Sequence, residues 1–310
     1  MAVPEAARSI TAIVVTYNPD PARLAQLCEA VQPQVEHVVL VDNGSSAEAL
    51  AALQALVAGP SSALTLLALG ENRGIGAAQN AGIAMARQHG SRYVLLLDHD
   101  SIPETGMVAT LRAAIENQPA GSPPVAAAGP RYADARQTTN PSPFVQLEGF
   151  KRVRCECRHA GQLIEVEHLI ASGSLIPMAV LDAVGDMDER LFIDYVDIEW
   201  CLRAAHAGYR MLGVCDARMQ HELGDTPIRF MGKHLPDHSP LRHYYLFRNA
   251  LLLQRMPHIG WRWKMVDAYQ TVMKYGFYAL VATPRLPRIR MMNRGLWDGL
   301  LGRGGAYRKR

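Results

Sequence analysis

Two aspartates, Asp98 and Asp100, directly follow an uninterrupted apolar run and are separated by one residue. Where an extended segment becomes a loop, carboxylates at this spacing can both turn toward one ion. Such hard oxygen ligands suit Mg²⁺ or Mn²⁺, which take their other ligands from water and substrate phosphates. His221 could add a nitrogen ligand, which would favour Mn²⁺. The pattern predicts a divalent-metal site facing a diphosphate leaving group, with a solvated turn as the alternative.

A second acidic group, formed by Asp194, Asp197 and Glu199, places three carboxylates within six residues. Asp197 lies near the start of a predicted helix, where acids often only cap the helix or interact with its dipole. A carboxylate in a pocket could instead act as a general base that takes the proton from an acceptor hydroxyl. The spacing alone is compatible with both interpretations.

The elements that must position these acids alternate along the chain. Continuous apolar runs predict buried strands, and amphipathic or glycine-started segments predict the helices between them. The predicted strands are 10–16, 37–41, 64–69, 92–97, 166–178 and 210–215, and the predicted helices are 21–32, 46–57, 74–86 and 196–207. Residues 119–160 are rich in proline and glycine and predict a long loop with short strands. This order predicts an α/β fold with a mostly parallel sheet flanked by helices.

Polar residues collect where the predicted strands end, and parallel sheets bind ligands at that edge. These residues are Thr16, Tyr17, Asn18, Asp42, Asn43 and Asn72, together with the two aspartates at 98 and 100. The sequence contains no Walker A motif, and no Gly-x-Gly-x-x-Gly motif follows the first strand, so a nucleotide would be held another way. Asp42 could accept hydrogen bonds from a ribose or base, and Tyr17 could stack on a base.

The charge of the chain is unevenly distributed. Residues 255–310 contain 12 Lys and Arg against two acids, whereas residues 1–254 contain 20 against 27. Aromatic and aliphatic residues lie between the cations, which favours a membrane surface over nucleic acid as the partner. A core-packed helix with a solvated face is the alternative. No apolar run reaches about 18 residues, so no spanning helix is expected.

The cysteines and the first residues bear on the compartment. Five cysteines occur at irregular spacing, at positions 28, 155, 157, 201 and 215, which predicts reduced thiols. Residues 1–9 lack the apolar core of a signal peptide. Both features predict a cytoplasmic protein.

Several motifs occur in an order that resembles the family 2 glycosyltransferases of the GT-A fold. They are Val-Val-Thr-Tyr-Asn at 14–18, Val-Asp-Asn-Gly-Ser at 41–45, the glycine-rich segment 71–82, Leu-Leu-Leu-Asp-His-Asp at 95–100, Ala-Ser-Gly at 171–173 and Asp-Ile-Glu-Trp-Cys-Leu-Arg at 197–203. The tail, at 238–249 and 295–300, is similar to the bacterial L-rhamnosyltransferase branch, which serves rhamnolipid and O-antigen synthesis.

The resemblance implies roles for the residues that match these motifs. The nucleotide would be held by Thr16, Tyr17, Asn18 and Asp42, and its sugar-phosphate part would lie near Asn72, Gly74 and Asn80. Asp98 and Asp100 would form the metal site for Mg²⁺ or Mn²⁺, and Arg242, Arg248 and His221 would contact the diphosphate. Asp197 aligns with the base of the family, with Asp194 or Glu199 possible partners in that task. This chain departs from the family at Val196, where a glutamate is common.

The resemblance further implies an inverting transfer of L-rhamnose from dTDP-β-L-rhamnose to a saccharide or glycolipid, giving an α-L-rhamnoside. We expect a transferase domain at 1–235, with a nucleotide-sugar half at 10–118 and an acceptor half at 119–235, followed by a helical, membrane-surface region at 236–310. The expected location is the inner face of the cytoplasmic membrane, with no nucleic acid bound. A UDP-hexose donor or a non-catalytic carbohydrate- or lipid-binding relative are the alternatives.

Overall fold

The computed structural model describes residues 9–59, 63–133, 144–221, 228–230, 233–235 and 238–309. The strands are β1 Ile10–Thr16, β2 His37–Asp42, β3 Leu64–Ala68, β4 Tyr93–Asp98, β5 Ser101–Pro103, β6 Val125–Ala133, β7 Val145–Glu148, β8 Lys151–Arg154, β9 Leu163–Val166, β10 Leu175–Pro177, β11 Arg210–His221, β12 Ile228–Phe230 and β13 Lys233–Leu235. The helices are α1 Pro21–Val31, α2 Ala47–Val57, α3 Ile75–Gln88, α4 Met107–Glu116, α5 Met178–Val184, α6 Val196–His206, α7 Pro240–Gln254, α8 Trp261–Leu280 and α9 Arg285–Leu300.

The main sheet has the order β3-β2-β1-β4-β10-β6-β11-β5, and β9 pairs with β11. Strands β3, β2, β1 and β4 are parallel, whereas β10 runs antiparallel between β4 and β6. Thr16 pairs with Asp42, and Val15 pairs with Asp98. The register therefore brings the carboxyl ends of β1, β2 and β4 to one edge, as the α/β prediction requires.

Helices cover both faces of the sheet, which explains why its central strands are apolar throughout. Helices α1, α2 and α4 pack on one face with Leu24, Leu53 and Leu111. Helices α3, α5 and α6 pack on the other face with residues such as Ile83 and Trp200. Every residue of β1 is buried, as expected for a strand enclosed on both sides.

The predicted strand at 166–178 is wrong in its centre. The structure places β9 and β10 at its two ends, and residues 171–174 form a turn between them. Gly173 adopts a φ of +86°, and its amide donates to the carbonyl of Leu96. The loop predicted for 119–160 also contains β6, a nine-residue strand of the main sheet, while its residues 134–143 lie outside the described ranges.

The expectation of reduced thiols is corrected at one pair. Cys157 and Cys215 form a disulfide, whereas Cys28, Cys155 and Cys201 are free. Cys157 precedes β9 and Cys215 lies in β11, and these strands are antiparallel neighbours. The sheet thus joins two cysteines that are 58 residues apart in the sequence.

The basic tail folds into helices α7, α8 and α9. Helix α9 packs closely on α7 at Gly295. Any side chain at this position would collide with the carbonyl oxygen of Tyr244, so the absence of a Cβ allows the close approach. Helices α7 and α8 join the main core through Ala250, Leu253 and Trp263. Among the described residues, none of the helices combines the length and apolar character needed to cross a bilayer.

Candidate active site

The turn after β2 is organised by Asp42, which is almost completely buried. Its carboxylate accepts hydrogen bonds from the amides of Gly44 and Ser45, both at 3.2 Å, and from the Ser45 hydroxyl. The Thr16 hydroxyl lies 3.5 Å from the same carboxylate. Asp42 therefore shapes the strand-end turn from inside.

Asn18 joins this turn to the end of β1. Its amide donates to the Ser45 hydroxyl, and its side-chain oxygen accepts from the amide of Ser46, both at 2.8 Å. Tyr17 beside it is 48% exposed, so its ring is open to a ligand at this edge. Hydrogen bonds thus connect the two strand-end turns, and the Tyr17 ring lies exposed beside them.

The loop between β3 and α3 packs against the same turn. The Asn43 side chain donates to Asn72 at 3.3 Å, and the Asn72 oxygen also accepts from the amide of Gly74 at 3.1 Å. Gly74 has a φ of +89°, and a Cβ there would lie 2.5 Å from the carbonyl oxygen of Phe192. Gly74 thus allows the β3–α3 loop to contact the segment that precedes α6.

Asp98 ends β4, and Asp100 lies in the turn between β4 and β5. The guanidinium group of Arg23 donates to the backbone carbonyl of Asp100 at 3.2 and 3.4 Å, which anchors this turn to α1. The amide of Asp98 donates to the hydroxyl of Ser172 at 3.0 Å, and Ser172 also bonds Ser101. The turn at 171–174 therefore adjoins the aspartate pair.

The same turn contacts Asp197 on its other side. One carboxylate oxygen of Asp197 accepts from the amide of Ala171 at 3.3 Å, and the other accepts from the amide of Ile198 at 2.8 Å. Ala171 and Ser172 are adjacent residues, so a single dipeptide connects the end of β4 to the first turn of α6. Asp98 and Asp197 consequently lie on the same side of the fold.

Burial raises the pKa of Asp197, although the two backbone amides and the nearby His168 act in the opposite direction. The Asp194 carboxylate adds to the increase through charge repulsion. A carboxylate with a raised pKa accepts a proton more readily than an ordinary surface aspartate. Asp197 thus has the electrostatic environment expected of a general base.

The loop before α6 contains three non-glycine residues with left-handed backbone conformations, Phe192, Asp194 and Tyr195, with φ between +63° and +66°. Such conformations persist where surrounding contacts impose them, and they cluster at functional sites. Here Asn249 of α7 donates to the carbonyls of Leu191, Ile193 and Asp194 at 2.8 to 2.9 Å. We refer to residues 190–195 as the α6 entry loop.

Comparison with known proteins identifies the family. The model for glycosyl transferase family 2 matches residues 11–159. The chain is 33% identical over 255 residues to dTDP-rhamnosyl transferase RfbF of Shigella flexneri, covering 81% of each chain. This protein belongs to glycosyltransferase family 2. It is also 27% identical over 304 residues to galactofuranosyltransferase GlfT1 of Mycobacterium tuberculosis, covering 94% of this chain and 92% of that one.

Solved structures agree on the fold of this glycosyltransferase. S. aureus TarS 1–349 in complex with UDP-GlcNAc superposes with a TM-score of 0.60 at 16% identity, over 95% of this chain and 81% of that one. GalNAc-T7 with UDP, GalNAc and Mn²⁺ gives 0.59 at 13% identity, covers 91% of this chain, and is spanned over 59% of its own length. The GT-A expectation is confirmed.

Glu199 does not share the site of Asp197. It is 2% exposed, makes a two-pronged ion pair with Arg203 at 3.0 Å, and lies 2.9 Å from Nε2 of His258. Residues two positions apart on a helix are rotated by about 200° around its axis, so their side chains point to nearly opposite sides. These contacts disfavour a role for Glu199 beside Asp197 and give it one in packing; its assistance to a base stays a prediction.

Asp194 and Arg242 form a bidentate ion pair with distances of 3.0 to 3.3 Å. This pair connects α7 to the α6 entry loop, so both residues lie close to Asp197. Asp194 acts on Asp197 through its charge. The predicted contact of Arg242 with a diphosphate stays a prediction.

Arg248 and Asn80 have different places from those expected. Arg248 is fully buried and donates to the carbonyls of Arg190, Leu191 and Gly305, so it supports the α6 entry loop from within. Asn80 donates to the carbonyl of Met187 and to Glu189 and accepts from the amide of Met187. Both side chains bond groups of the protein itself, and their predicted contacts with the sugar-phosphate and the diphosphate stay predictions.

The donor set at Asp98 and Asp100 fits Mg²⁺ or Mn²⁺. Two carboxylates at one strand end suit ions that complete their shell with water and phosphate oxygens. Within the described ranges, no three or more His, Cys, Asp or Glu residues are grouped so that they could hold a metal ion by themselves. The backbone of His221 pairs with Ser101, next to Asp100, but its side chain lies outside the described part of the structure.

Sequence reasoning missed three residues that hold this site: Ser172, which bonds the end of β4, and Asn249 and Asp267, which hold the α6 entry loop. Asp267 of α8 accepts a 3.0 Å hydrogen bond from the hydroxyl of Tyr195, inside the core. Ser172 was visible as part of the Ala-Ser-Gly motif, but its partners were not. Asn249 directly precedes the apolar run 250–253, and a polar residue beside such a run was the available signal for a buried support.

Proposed function

We propose that this glycosyltransferase transfers L-rhamnose from dTDP-β-L-rhamnose to a hydroxyl of a glycolipid or lipid-linked saccharide, with inversion. The donor assignment is supported by the 33% identity to a dTDP-rhamnosyl transferase across 81% of the chain. A single displacement needs one base and one stabilised leaving group. The turn at 171–174 has a carboxylate on each side for these two tasks, Asp197 on one and Asp98 on the other.

One observation carries the proposal. The dipeptide Ala171-Ser172 bonds the carboxylate of Asp197 with one amide and the backbone of Asp98 with one hydroxyl. A sugar between these two acids would have its leaving group toward Asp98 and its open face toward Asp197. This geometry suits an in-line attack by an acceptor hydroxyl.

Asp197 takes the proton of the acceptor hydroxyl as that oxygen bonds to the anomeric carbon and the bond to the nucleotide diphosphate breaks. The amides of Ala171 and Ile198 orient its carboxylate, and burial keeps its pKa raised. Asp194, held by Arg242, adds negative charge that further favours proton uptake. Proton uptake by Asp197 and the orientation of its carboxylate together supply the catalysis on the acceptor side.

On the donor side, Tyr17 stacks on the base of the nucleotide, beside the turn built by Thr16, Asn18 and Asp42. Asp98 and Asp100 would hold Mg²⁺ or Mn²⁺, which when bound neutralises charge on the departing diphosphate. Asn72 and Gly74 shape the loop that faces the sugar-phosphate part.

The basic, aromatic C-terminal helices support a proposal for the acceptor and the location. We propose a peripheral protein on the inner face of the cytoplasmic membrane that takes lipid-linked acceptors of O-antigen or rhamnolipid type and binds no nucleic acid. Cationic surfaces with aromatic residues favour anionic bilayers. The transferase domain at 1–235 and the membrane-surface region at 236–310 remain the proposed division.

A UDP-hexose donor is the second candidate, favoured by the similarity to galactofuranosyltransferase GlfT1 across 94% of the chain. The two candidates differ in the nucleotide that stabilises the fold. At equal concentration, a ligand that binds the native state more tightly raises the melting temperature more.

The experiment combines binding with turnover. The purified protein with Mg²⁺ or Mn²⁺ is melted with dTDP and with UDP, and dTDP-β-L-rhamnose consumption is followed with lipid-linked saccharide acceptors. We expect dTDP to give the larger stabilisation and consumption to depend on the acceptor. A larger shift with UDP would favour the second candidate. Binding of neither nucleotide, without turnover, would support a non-catalytic relative.

A further inference from the structure

Helix α8 has two unlike faces. Its inner face is buried against the transferase fold through Trp263, Val266 and Asp267. Its outer face is apolar and exposed: Trp261, Met265, Tyr269, Val272, Met273 and Leu280 are each between 56% and 72% exposed. A helix that is apolar on both sides has one apolar face without a partner in the described structure.

The spacing of the exposed residues shows that they form one stripe. Trp261, Met265, Tyr269, Val272 and Met273 follow one another at intervals of four, four, three and one residues. In a helix of 3.6 residues per turn this spacing keeps side chains on one face. A 20-residue helix is about 30 Å long, so the stripe is long and narrow. We call it the α8 outer stripe.

The α8 outer stripe is widened at its first turn by Phe150, from the turn between β7 and β8. Phe150, also exposed, contacts the ring of Trp261 edge-on with centroids 5.6 Å apart. The guanidinium of Arg262 lies 5.8 Å from the centre of the same ring. Trp and Phe beside a cation are typical of side chains at a lipid headgroup boundary.

The exposed charge of the C-terminal region that carries the stripe has one sign. The only acids of residues 255–310 are Asp267 and Asp298, and both are buried: Asp267 accepts from Tyr195, and Asp298 from Tyr244. Among the basic residues of this region, Arg262, Arg285 and Arg290 are exposed. Exposed side-chain charge of residues 255–309 is therefore entirely positive.

We propose that the α8 outer stripe docks on an anionic lipid surface, with α8 lying in the plane of the headgroups. Apolar side chains enter the acyl boundary while the surrounding cations meet anionic headgroups. A second copy of this chain is disfavoured as the occupant, because pairing two such faces would bring like charges together. The exposed aliphatic residues likewise fit lipid better than nucleic acid.

This inference deepens the proposed lipid-linked acceptor by saying how the site meets it. The inner face of the docked helix holds Tyr195 of the α6 entry loop through Asp267, and Asp197 follows two residues later. Docking on α8 would thus keep the base close to the headgroup plane. An acceptor with its lipid in the bilayer would reach the base without leaving the membrane.

Flotation with vesicles tests the docking on the full chain. Vesicles of phosphatidylcholine with and without phosphatidylglycerol are compared for the wild type and the triple variant Met265→Gln, Tyr269→Gln, Val272→Gln. Glutamine is a good helix former, so α8 is kept. We expect binding to the anionic vesicles by the wild type and at least about a tenfold weaker partition for the variant. Leu163→Gln, at an exposed leucine of β9, is the matched control and should bind as the wild type does.

Stabilisation by dTDP is measured on all three proteins, since it reports the donor side and is independent of docking. Equal stabilisation with lost flotation supports the proposal, whichever nucleotide the enzyme prefers. Undiminished flotation of the triple variant would overturn it. The proposal would also be overturned if the wild type did not bind vesicles but formed oligomers in sedimentation velocity that the triple variant did not form. Salt-dependent binding of the wild type to DNA, without binding to vesicles, would overturn it as well.

Discussion

The loops on the two sides of the site are held in different ways. On the donor side, Asp42 is bonded by Gly44 and Ser45, two and three residues away. On the acceptor side, the α6 entry loop is held by Asn249, 55 to 58 residues away. The other donor-side turns are held mainly by partners in the first half of the chain, such as Ser45 for Asn18 and Arg23 for Asp100, whereas the α6 entry loop depends on the C-terminal helices. The C-terminal helices therefore hold the loop that carries the proposed base, in addition to their proposed role at a membrane surface.

Loss of the divalent ion should have the largest effect and should act on the donor side alone. Metals at such sites supply several kcal/mol of charge stabilisation, so thorough chelation should reduce turnover by at least about a thousandfold. Stabilisation by dTDP should disappear as well and return with Mg²⁺ or Mn²⁺. Asp98→Asn should imitate chelation and resist rescue. Full turnover after chelation would contradict the metal site.

Asp197→Asn should reduce turnover by at least about a hundredfold, because the amide cannot take the acceptor proton. The KM for the donor should change little, which separates this variant from Asp98→Asn. Glu199→Gln is the matched control: it breaks a buried ion pair, costs about 3 kcal/mol of folding stability, and keeps turnover below its melting temperature. Steady-state kinetics and thermal melts give both readouts, and near-normal turnover in Asp197→Asn would remove it from the role.

Asn249→Ala should lower kcat about tenfold, since three hydrogen bonds to the α6 entry loop disappear and the base loses its alignment. Asn80→Ala loses as many hydrogen bonds, but to residues 187 and 189 outside that loop. It should destabilise the fold by a similar amount while keeping kcat. Equal kinetic losses in the two variants would indicate a purely structural role for Asn249.

The smallest expected effect is on the pH dependence of kcat/KM, and it is specific to the protonation of Asp197. Burial raises the pKa of Asp197, so kcat/KM should fall as pH drops through a value above the ordinary aspartate pKa of about 3.9. Below that pKa the protonated carboxyl cannot act as a base. Asn249→Ala should move this acid limb downward, because a looser loop admits water to the carboxylate. An acid limb at the ordinary value in the wild type would argue against a buried base.

The first four strands and the helices between them were predictable, because an enclosed parallel strand must be a continuous apolar run. Asp98 and Asp197 were also predictable as candidates, from their motifs and from their places at a strand end and a helix start. The pairing of Cys157 with Cys215 was not, since β9 and β11 become neighbours only in the sheet. Neither was the turn at 171–174, where Gly173 breaks an otherwise strand-like run.

The order of motifs by itself determined the family, the parallel sheet and the edge at which the polar residues gather, because these follow from local patterns of one chain segment. Only the tertiary structure separated Asp197 from Glu199, and Arg242 from Arg248. Each pair has like chemistry within a few residues, and what distinguishes its members is burial and distant partners. Those depend on which helices pack together, a property that no short stretch of sequence contains.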